Sequence, residues 1–361
     1  MTRRLPDEAL GRLRRAGATS CWDGDGPMPA DELARQLRDA TGLVCMLTDR
    51  VDGPLVARAP ALRVVSQVAV GVDNIDLAAC TQAGIPVGHT PGVLTETTAD
   101  SAFALLAAAA RRVVEGVDHV RAGRWGPWQP DLLLGRDLHG TTLAILGLGR
   151  IGTAVARRAA GFDMSVLYSG PRRKPEAEAA TGARYVGFDE LLERADHLVL
   201  CAPLTPATYH VIDERALARM RPHATLVNVA RGGLVDSHAL AEALRDGTIA
   251  AAALDVTEPE PLPADHELLG LASCIVTPHL ASASVSTRAR MAAVAVDNLL
   301  AGLAGEPLPH CANPEVYAGR RRSAPSPARS PAPDAPARRA AREARATPRG
   351  GEGSERSPGV E

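Results

Sequence analysis

Short apolar runs of the kind that form buried strands recur along the chain at 43–48 (LVCMLT), 62–69 (LRVVSQVA), 143–147 (LAILG), 164–168 (MSVLY), 197–200 (HLVL), 225–229 (TLVNV), 252–255 (AALD) and 274–277 (CIVT). Amphipathic stretches with helical spacing separate several of them, and that alternation predicts parallel sheets covered by helices, an α/β protein. Two long helices are predicted at 96–122 and at 285–303, one at each end of a central 140–282 block. A nucleotide-binding domain inserted between the two parts of a flanking domain accounts for this order, with the helices as the crossings and a ligand cleft between the lobes.

Beyond Tyr317 the pattern stops. Residues 318–361 hold no aromatic, Ile, Leu or Met, so they lack the apolar area that offsets chain ordering and are expected to be disordered. Their arginines suit either a polyanion or nothing specific. The longest apolar stretch, Ala102 to Ala110, is too short to span a bilayer. The N-terminus, MTRRLPDEALGRLRR, has no apolar core of a signal peptide.

Composition adds little to this picture. A chain of 361 residues with 45 % hydrophobic and 23 % charged residues and a formal net charge of -2 fits a globular protein of two domains, and nothing in that balance requires nucleic acid or an anionic membrane. The six cysteines form no CxxC pair and no ligand-like spacing, which predicts reduced, mostly buried thiols, no metal site and a cytoplasmic protein.

The segment AILGLGRIG at 144–152 changes the picture more. A strand runs into Gly147, Gly149 and Gly152, and TAVARRAAGF continues as a helix. This is the context of a dinucleotide fingerprint: Gly147 allows the tight turn, Gly149 lets backbone approach a pyrophosphate, Gly152 allows close helix–strand packing, and Arg150 and Ile151 open the helix whose free N–H groups face the anion. Arg150 either adds charge there or is solvated. About twenty residues on, where an NAD-binding site places an acidic residue against the ribose, the chain has Ser169 followed by Arg172, Arg173 and Lys174. Small plus basic admits a 2′-phosphate, unless both arginines are merely solvated. NADPH is therefore the expected cofactor, with NADH as the second choice.

Several separated motifs then occur in one order: VAVGVDNID at 68–76, TPGVLTETTADSAFALL at 90–106, CAPLTPAT at 201–208, VNVARGGLVDSHALAEALRDGTIAAAALDVTEPEP from 227, and VTPHLASAS from 276. Over roughly residues 2–317 the chain resembles the D-isomer-specific 2-hydroxyacid dehydrogenases, and within them the glyoxylate and hydroxypyruvate reductases. The resemblance implies a Rossmann-type nucleotide-binding domain (101–282) inserted into a flavodoxin-like flanking α/β domain (1–100 and 283–317). It also implies a homodimer formed through the nucleotide domains. The segment 124–140, with Trp125, Trp128 and Leu132–Leu134, either packs under its own domain or anchors the dimer.

The chemistry of reducing a 2-oxo acid can be set beside these residues. It needs a carboxylate anchor, a hydride donor and an acid for the carbonyl oxygen. Arg231, after a strand and before two glycines, suits two-point carboxylate binding. His279 suits the acid–base role. The resemblance assigns its carboxylate partner to Glu260 and not to the nearby Glu258. It also implies that the Val70 and Gly71 backbone N–H groups bind the substrate carboxylate, that Thr95 and Pro203 contact the cofactor, and that Asp255 meets the nicotinamide carboxamide, with a loop cap as the alternative.

Two departures from the family pattern stand out. A strand of the form KVFVT usually precedes RRLPDEAL, so either the start lies further upstream or the flanking sheet has lost an edge. Ala251 stands where Gly is common. Phosphoglycerate dehydrogenase without a regulatory domain is the runner-up, with Arg50 as the one visible extra cation for a phosphate. A dinucleotide-sensing co-repressor is the alternative outside catalysis.

Overall fold

The computed structural model describes residues 1–318, so the expectation of disorder from 319 onward lies outside the described residues. Ten strands form two parallel sheets. The first holds β1 (Gly42–Cys45), β2 (Val64–Gln67) and β3 (Val87–Gly88) in the order β1-β2-β3, with Val44 beside Ser66 and Val65 beside Val87. The second holds β4 (Thr142–Leu146), β5 (Ser165–Ser169), β6 (Arg184–Tyr185), β7 (His197–Leu200), β8 (Thr225–Asn228), β9 (Ala251–Leu254) and β10 (Cys274–Val276), in the order β10-β9-β8-β7-β4-β5-β6.

From β4 the second sheet grows through β5 and β6 to one side, then restarts with β7 on the other. The crevice between the C-terminal ends of β4 and β7 is thus the switch point at which doubly wound sheets bind ligands. Strands here are apolar on both faces because helices cover both: Leu143, Ala144, Ile145, Leu198, Val199 and Leu226 have no exposed surface. The eight apolar runs all contain a strand. The other two, β3 and β6, have two residues each, too short to leave a periodic signal.

The long helix predicted at 96–122 is two helices, Thr95–Ala110 and Val113–Arg121. The break coincides with a contact from a later segment. The Arg136 N–H donates to the Ala110 carbonyl at 2.7 Å, and Gly135 lies so close that a Cβ there would be 2.5 Å from the same oxygen. Arg112 takes a left-handed conformation (φ 53°) and its guanidinium pairs with Glu115. The first helix buries Ala99, Ala102 and Leu106 against the second sheet, whereas the second helix buries none of its residues.

The helix predicted at 285–303 is found at Val285–Ala304. It starts on Ser284, whose hydroxyl accepts from the Thr287 N–H, and stops at Gly305 (φ 81°). It returns the chain to the first sheet: Ser66 of β2 donates to the Ala295 carbonyl at 2.7 Å, and a Cβ on Gly302 would lie 2.5 Å from Val64. The chain therefore leaves the three-stranded sheet, builds the seven-stranded one, and comes back. At the outer edge of β1 the Thr2 N–H donates to the Val44 carbonyl, so the first residues occupy an edge position.

All six cysteines are free, but only Cys45 and Cys80 are buried; the other four are half-buried, contrary to a mostly buried set. Among the described residues no helix is long and apolar enough to cross a membrane.

Candidate active site

The Arg231 turn is built by one buried side chain. Asn228, at the end of β8 and fully buried, accepts from the Ala230 N–H at 3.0 Å and donates to the Arg231 carbonyl at 2.8 Å. The following residue packs against the next loop so closely that a Cβ on Gly232 would collide with the Thr257 backbone. This explains the first of the two glycines that follow Arg231.

The Asp255 carboxylate at the end of β9 organises a second loop. It accepts from the Thr277 hydroxyl at 2.6 Å, from the Leu280 N–H at 2.7 Å and from the Ala281 N–H at 2.8 Å, while the Asp255 carbonyl accepts from the His279 N–H at 2.9 Å. Four bonds from one residue wind the loop around His279, which is held at φ 55°. That is the left-handed region, costly for a residue with a Cβ, and it persists here because the surroundings over-determine it.

Against His279 comes Glu260. The ring Nδ1 donates to Glu260 Oε1 at 2.7 Å, which fixes the tautomer and leaves Nε2 for a ligand. Burial alone would push the Glu260 carboxyl up. The hydrogen bond and charge of His279, the Thr257 N–H and the charge of Arg231 outweigh it and hold the group below its ordinary value. Glu258 does not reach His279; its partner is His210, at 2.9 Å.

Arg231, Glu260 and His279 line one cavity of about 1530 Å³ between the sheets, and Val70, Gly71, Ile151, Pro203 and Asp255 also line it. Gly71, on the loop after β2, lies so close to Arg231 that any side chain would strike the guanidinium. The same loop carries a residue that the motif reading missed. Asp73 accepts from Arg231 Nε at 3.1 and 3.2 Å and lies 3.1 Å from Nη2, while Nη1 donates to the Ala230 carbonyl at 2.8 Å. Asp73 lies inside VAVGVDNID, and an acidic residue beside an anion anchor is the signal that could have found it.

The remaining positions lie away from the cavity wall. Gly147 (φ 96°) is pressed against the β7 loop, where a Cβ would be 2.8 Å from Ala202 Cα. Gly149 faces open space, and a Cβ on Gly152 would strike the Gly147 carbonyl. The helix Arg150–Ala159 has no side-chain cap, and its first intrahelical bond is from the Thr153 N–H to the Gly149 carbonyl. Its opening N–H groups and the bare Gly149 form a cradle that fits a pyrophosphate. Thr95 opens the crossing helix. Ser169 ends β5 beside Leu146 of β4.

Of the two arginines beyond Ser169, Arg173 is taken: it pairs with Glu178 at 2.6 Å, and this bond, with one from the Tyr168 hydroxyl, holds the Glu178 carboxyl down at about 2. Arg172 has no carboxylate within ion-pair distance among the described residues. Arg50 pairs with Asp52 at 3.1 Å, is 85 % exposed and does not line the cavity, so the extra cation of the phosphorylated-substrate reading is not on the wall. Trp125, Trp128 and Leu134 are 75 %, 85 % and 66 % exposed, so these three side chains do not pack under their own domain, although Leu138 of the same segment is buried.

Residues 103–281 match the family described as D-isomer specific 2-hydroxyacid dehydrogenase, NAD binding domain. The chain is 48 % identical over 317 residues to the glyoxylate reductase of Korarchaeum cryptofilum, covering 88 % of this chain and 96 % of that one. Its fold is similar to the crystal structure of the TT0316 protein from Thermus thermophilus (TM-score 0.80, 47 % identity, 86 % and 98 % of the two chains). It is also similar to the NADPH-dependent glyoxylate/hydroxypyruvate reductase from Sinorhizobium meliloti in complex with NADP and malonate (TM-score 0.74, 33 % identity, 86 % and 95 %).

Asp73 occupies the guanidinium edge that a bidentate carboxylate ligand would use. An exposed ion pair of this kind is worth about 0.2–1 kcal/mol, so Asp73→Asn should tighten binding of oxalate, a small dicarboxylate probe, by about 1.5- to 5-fold in calorimetry. Weaker binding would instead show that Asp73 holds the guanidinium in place for the ligand.

Proposed function

The chain belongs to the D-isomer-specific 2-hydroxyacid dehydrogenase family, and we propose that it reduces glyoxylate or hydroxypyruvate to the 2-hydroxy acid with NADPH as the preferred hydride donor. That it is an NAD(P)H-dependent oxidoreductase of small 2-oxo acids follows from the family; the substrate, the residue roles and the cofactor choice are the proposal. The observation that carries it is the 2.7 Å bond between His279 Nδ1 and Glu260 in the cavity that Arg231 also lines.

In this reading Arg231 exchanges Asp73 for the substrate carboxylate, and the Val70 and Gly71 backbone on the opposite wall completes the anion site. The carbonyl is thereby fixed with its oxygen toward His279. Bound cofactor supplies the hydride to the carbonyl carbon. As negative charge develops on the oxygen, His279 Nε2 delivers a proton to it, and the adjacent Glu260 carboxylate stabilises the imidazolium that makes this delivery possible. Segments 1–100 and 283–317 form the substrate-side lobe and 101–282 the cofactor-side lobe. Pro203 and Ile151 flank the cofactor on the cavity wall, Thr95 approaches it from the crossing helix, and Asp255 adjoins its carboxamide while serving as the loop cap described above.

The cofactor choice rests on the end of β5. A carboxylate there would repel a 2′-phosphate, and Ser169 removes that repulsion. With Arg173 tied to Glu178, Arg172 is the better candidate for the charge-assisted bonds to phosphate oxygens. NADPH and NADH competed at fixed, subsaturating glyoxylate should show higher kcat/KM for NADPH, and Ser169→Asp with Arg172→Ala should abolish or reverse the preference. Equal use of both cofactors, or a preference for NADH, would contradict it.

The exposed apolar residues suggest the quaternary state. Val113, Val117 and Val120 on the Val113–Arg121 helix are each more than 40 % exposed, and Trp125, Trp128 and Leu134 follow in the same segment. Exposed apolar groups in this number mark a protein interface, which we read as that of a homodimer. Sedimentation should give twice the chain mass at micromolar concentration; a monomer would sink the reading.

A further inference from the structure

The alternation in Glu258-Pro-Glu-Pro sends two carboxylates to two different histidines. Glu260 goes to His279, and Glu258 goes to His210, where Nε2 lies 2.9 Å from Oε2. The second pair is built from both sides. The His210 ring stacks on Tyr209 with centroids 4.0 Å apart, its backbone N–H donates to the Gly233 carbonyl at 2.8 Å, and its φ is 49°. Asp236 lies 3.9 Å from Nδ1. On the other side the Ser237 hydroxyl donates to the Glu258 carbonyl at 3.2 Å.

These contacts join the two segments that carry the proposed chemistry. The Glu258 side chain lies against Gly233, where a Cβ would be 3.5 Å from Oε1, and Gly232 is wedged against Thr257. The Arg231 turn and the loop bearing Glu260 are thus fastened to one another through contacts that do not involve His279. We infer that Glu258 and His210 are a positioning pair, which sets Glu260 against His279 and Arg231 beside them without touching substrate. This rests on the reading of Arg231, Glu260 and His279 given above.

A partly exposed ion pair adds little to global stability, whereas displacement of a catalytic group by an ångström costs up to about 100-fold in rate. Glu258→Ala and His210→Ala should each lower kcat about tenfold, with the dissociation constant for NADPH and the melting temperature nearly unchanged. The double variant should be no slower than either single one, because both remove the same constraint. Glu258→Gln, which keeps an acceptor for the imidazole, should recover most of the rate and serves as the test if an alanine variant does not fold. The primary isotope effect on kcat with 4-deuterated NADPH should rise in the alanine variants, as the chemical step becomes slower than product release.

Single variants within twofold of wild type would overturn the inference. So would losses that multiply in the double variant, or a fall in rate that tracks melting temperature with an unchanged isotope effect. Failure of the underlying reading is distinguishable: His279→Asn would then keep its rate to within about tenfold of wild type, whatever the Glu258 and His210 variants do.

Discussion

Asp255 places its carboxyl group where almost no water reaches it, with only 2 % of its surface exposed. A buried carboxylate is costly unless its oxygens are fully bonded, and here three donors from residues 277–281 provide the bonds. The requirement acts in both directions. The loop satisfies the carboxylate, and the carboxylate fixes the loop, including the left-handed turn at His279. The position of the histidine is therefore set by the end of β9, an interior strand of the seven-stranded sheet.

The same constraint governs Arg231, whose turn is closed by the buried amide of Asn228. Asn228 and Asp255, the residues that fix Arg231 and His279, stand at the C-terminal ends of neighbouring strands, β8 and β9, so their relative placement is inherited from the parallel sheet. The opposite wall is different. It comes from the three-stranded sheet, where Gln67 donates to the Gly71 carbonyl at 2.8 Å, and Asn74 donates to the carbonyls of Met46 and Asp49. These amides stiffen the loop that carries Gly71 and Asp73. Through the Asp73–Arg231 pair that loop meets the Arg231 turn across the cavity.

Much of this was legible in the sequence because it leaves periodic or motif signals. Eight of the ten strands are apolar runs, and in the 147–152 turn Gly147 and Gly152 each have a steric reason visible in the fold. The family motifs also pointed to Glu260 over Glu258, and the bond to His279 agrees. What could not be read depends on particular side-chain and backbone contacts, two of the three between segments far apart in the chain. The break at Arg112 coincides with Gly135 and Arg136 docking on Ala110, which no helical periodicity reveals. The withdrawal of Arg173 comes from Glu178, which local charge counting treats as one more solvated residue. Asp73 sits 158 residues from Arg231, and its role appears only when the two sheets face each other.

In the proposed mechanism His279 is the group that delivers the proton. The most direct measurement is single-turnover reduction of glyoxylate by NADPH with excess enzyme, comparing wild type with His279→Asn, alongside NADPH binding followed by fluorescence. The account predicts unchanged NADPH binding and a rate lower by about 10²–10⁴, the loss typical of removing a general acid. A loss smaller than about tenfold with binding intact would contradict it and assign the proton to another group.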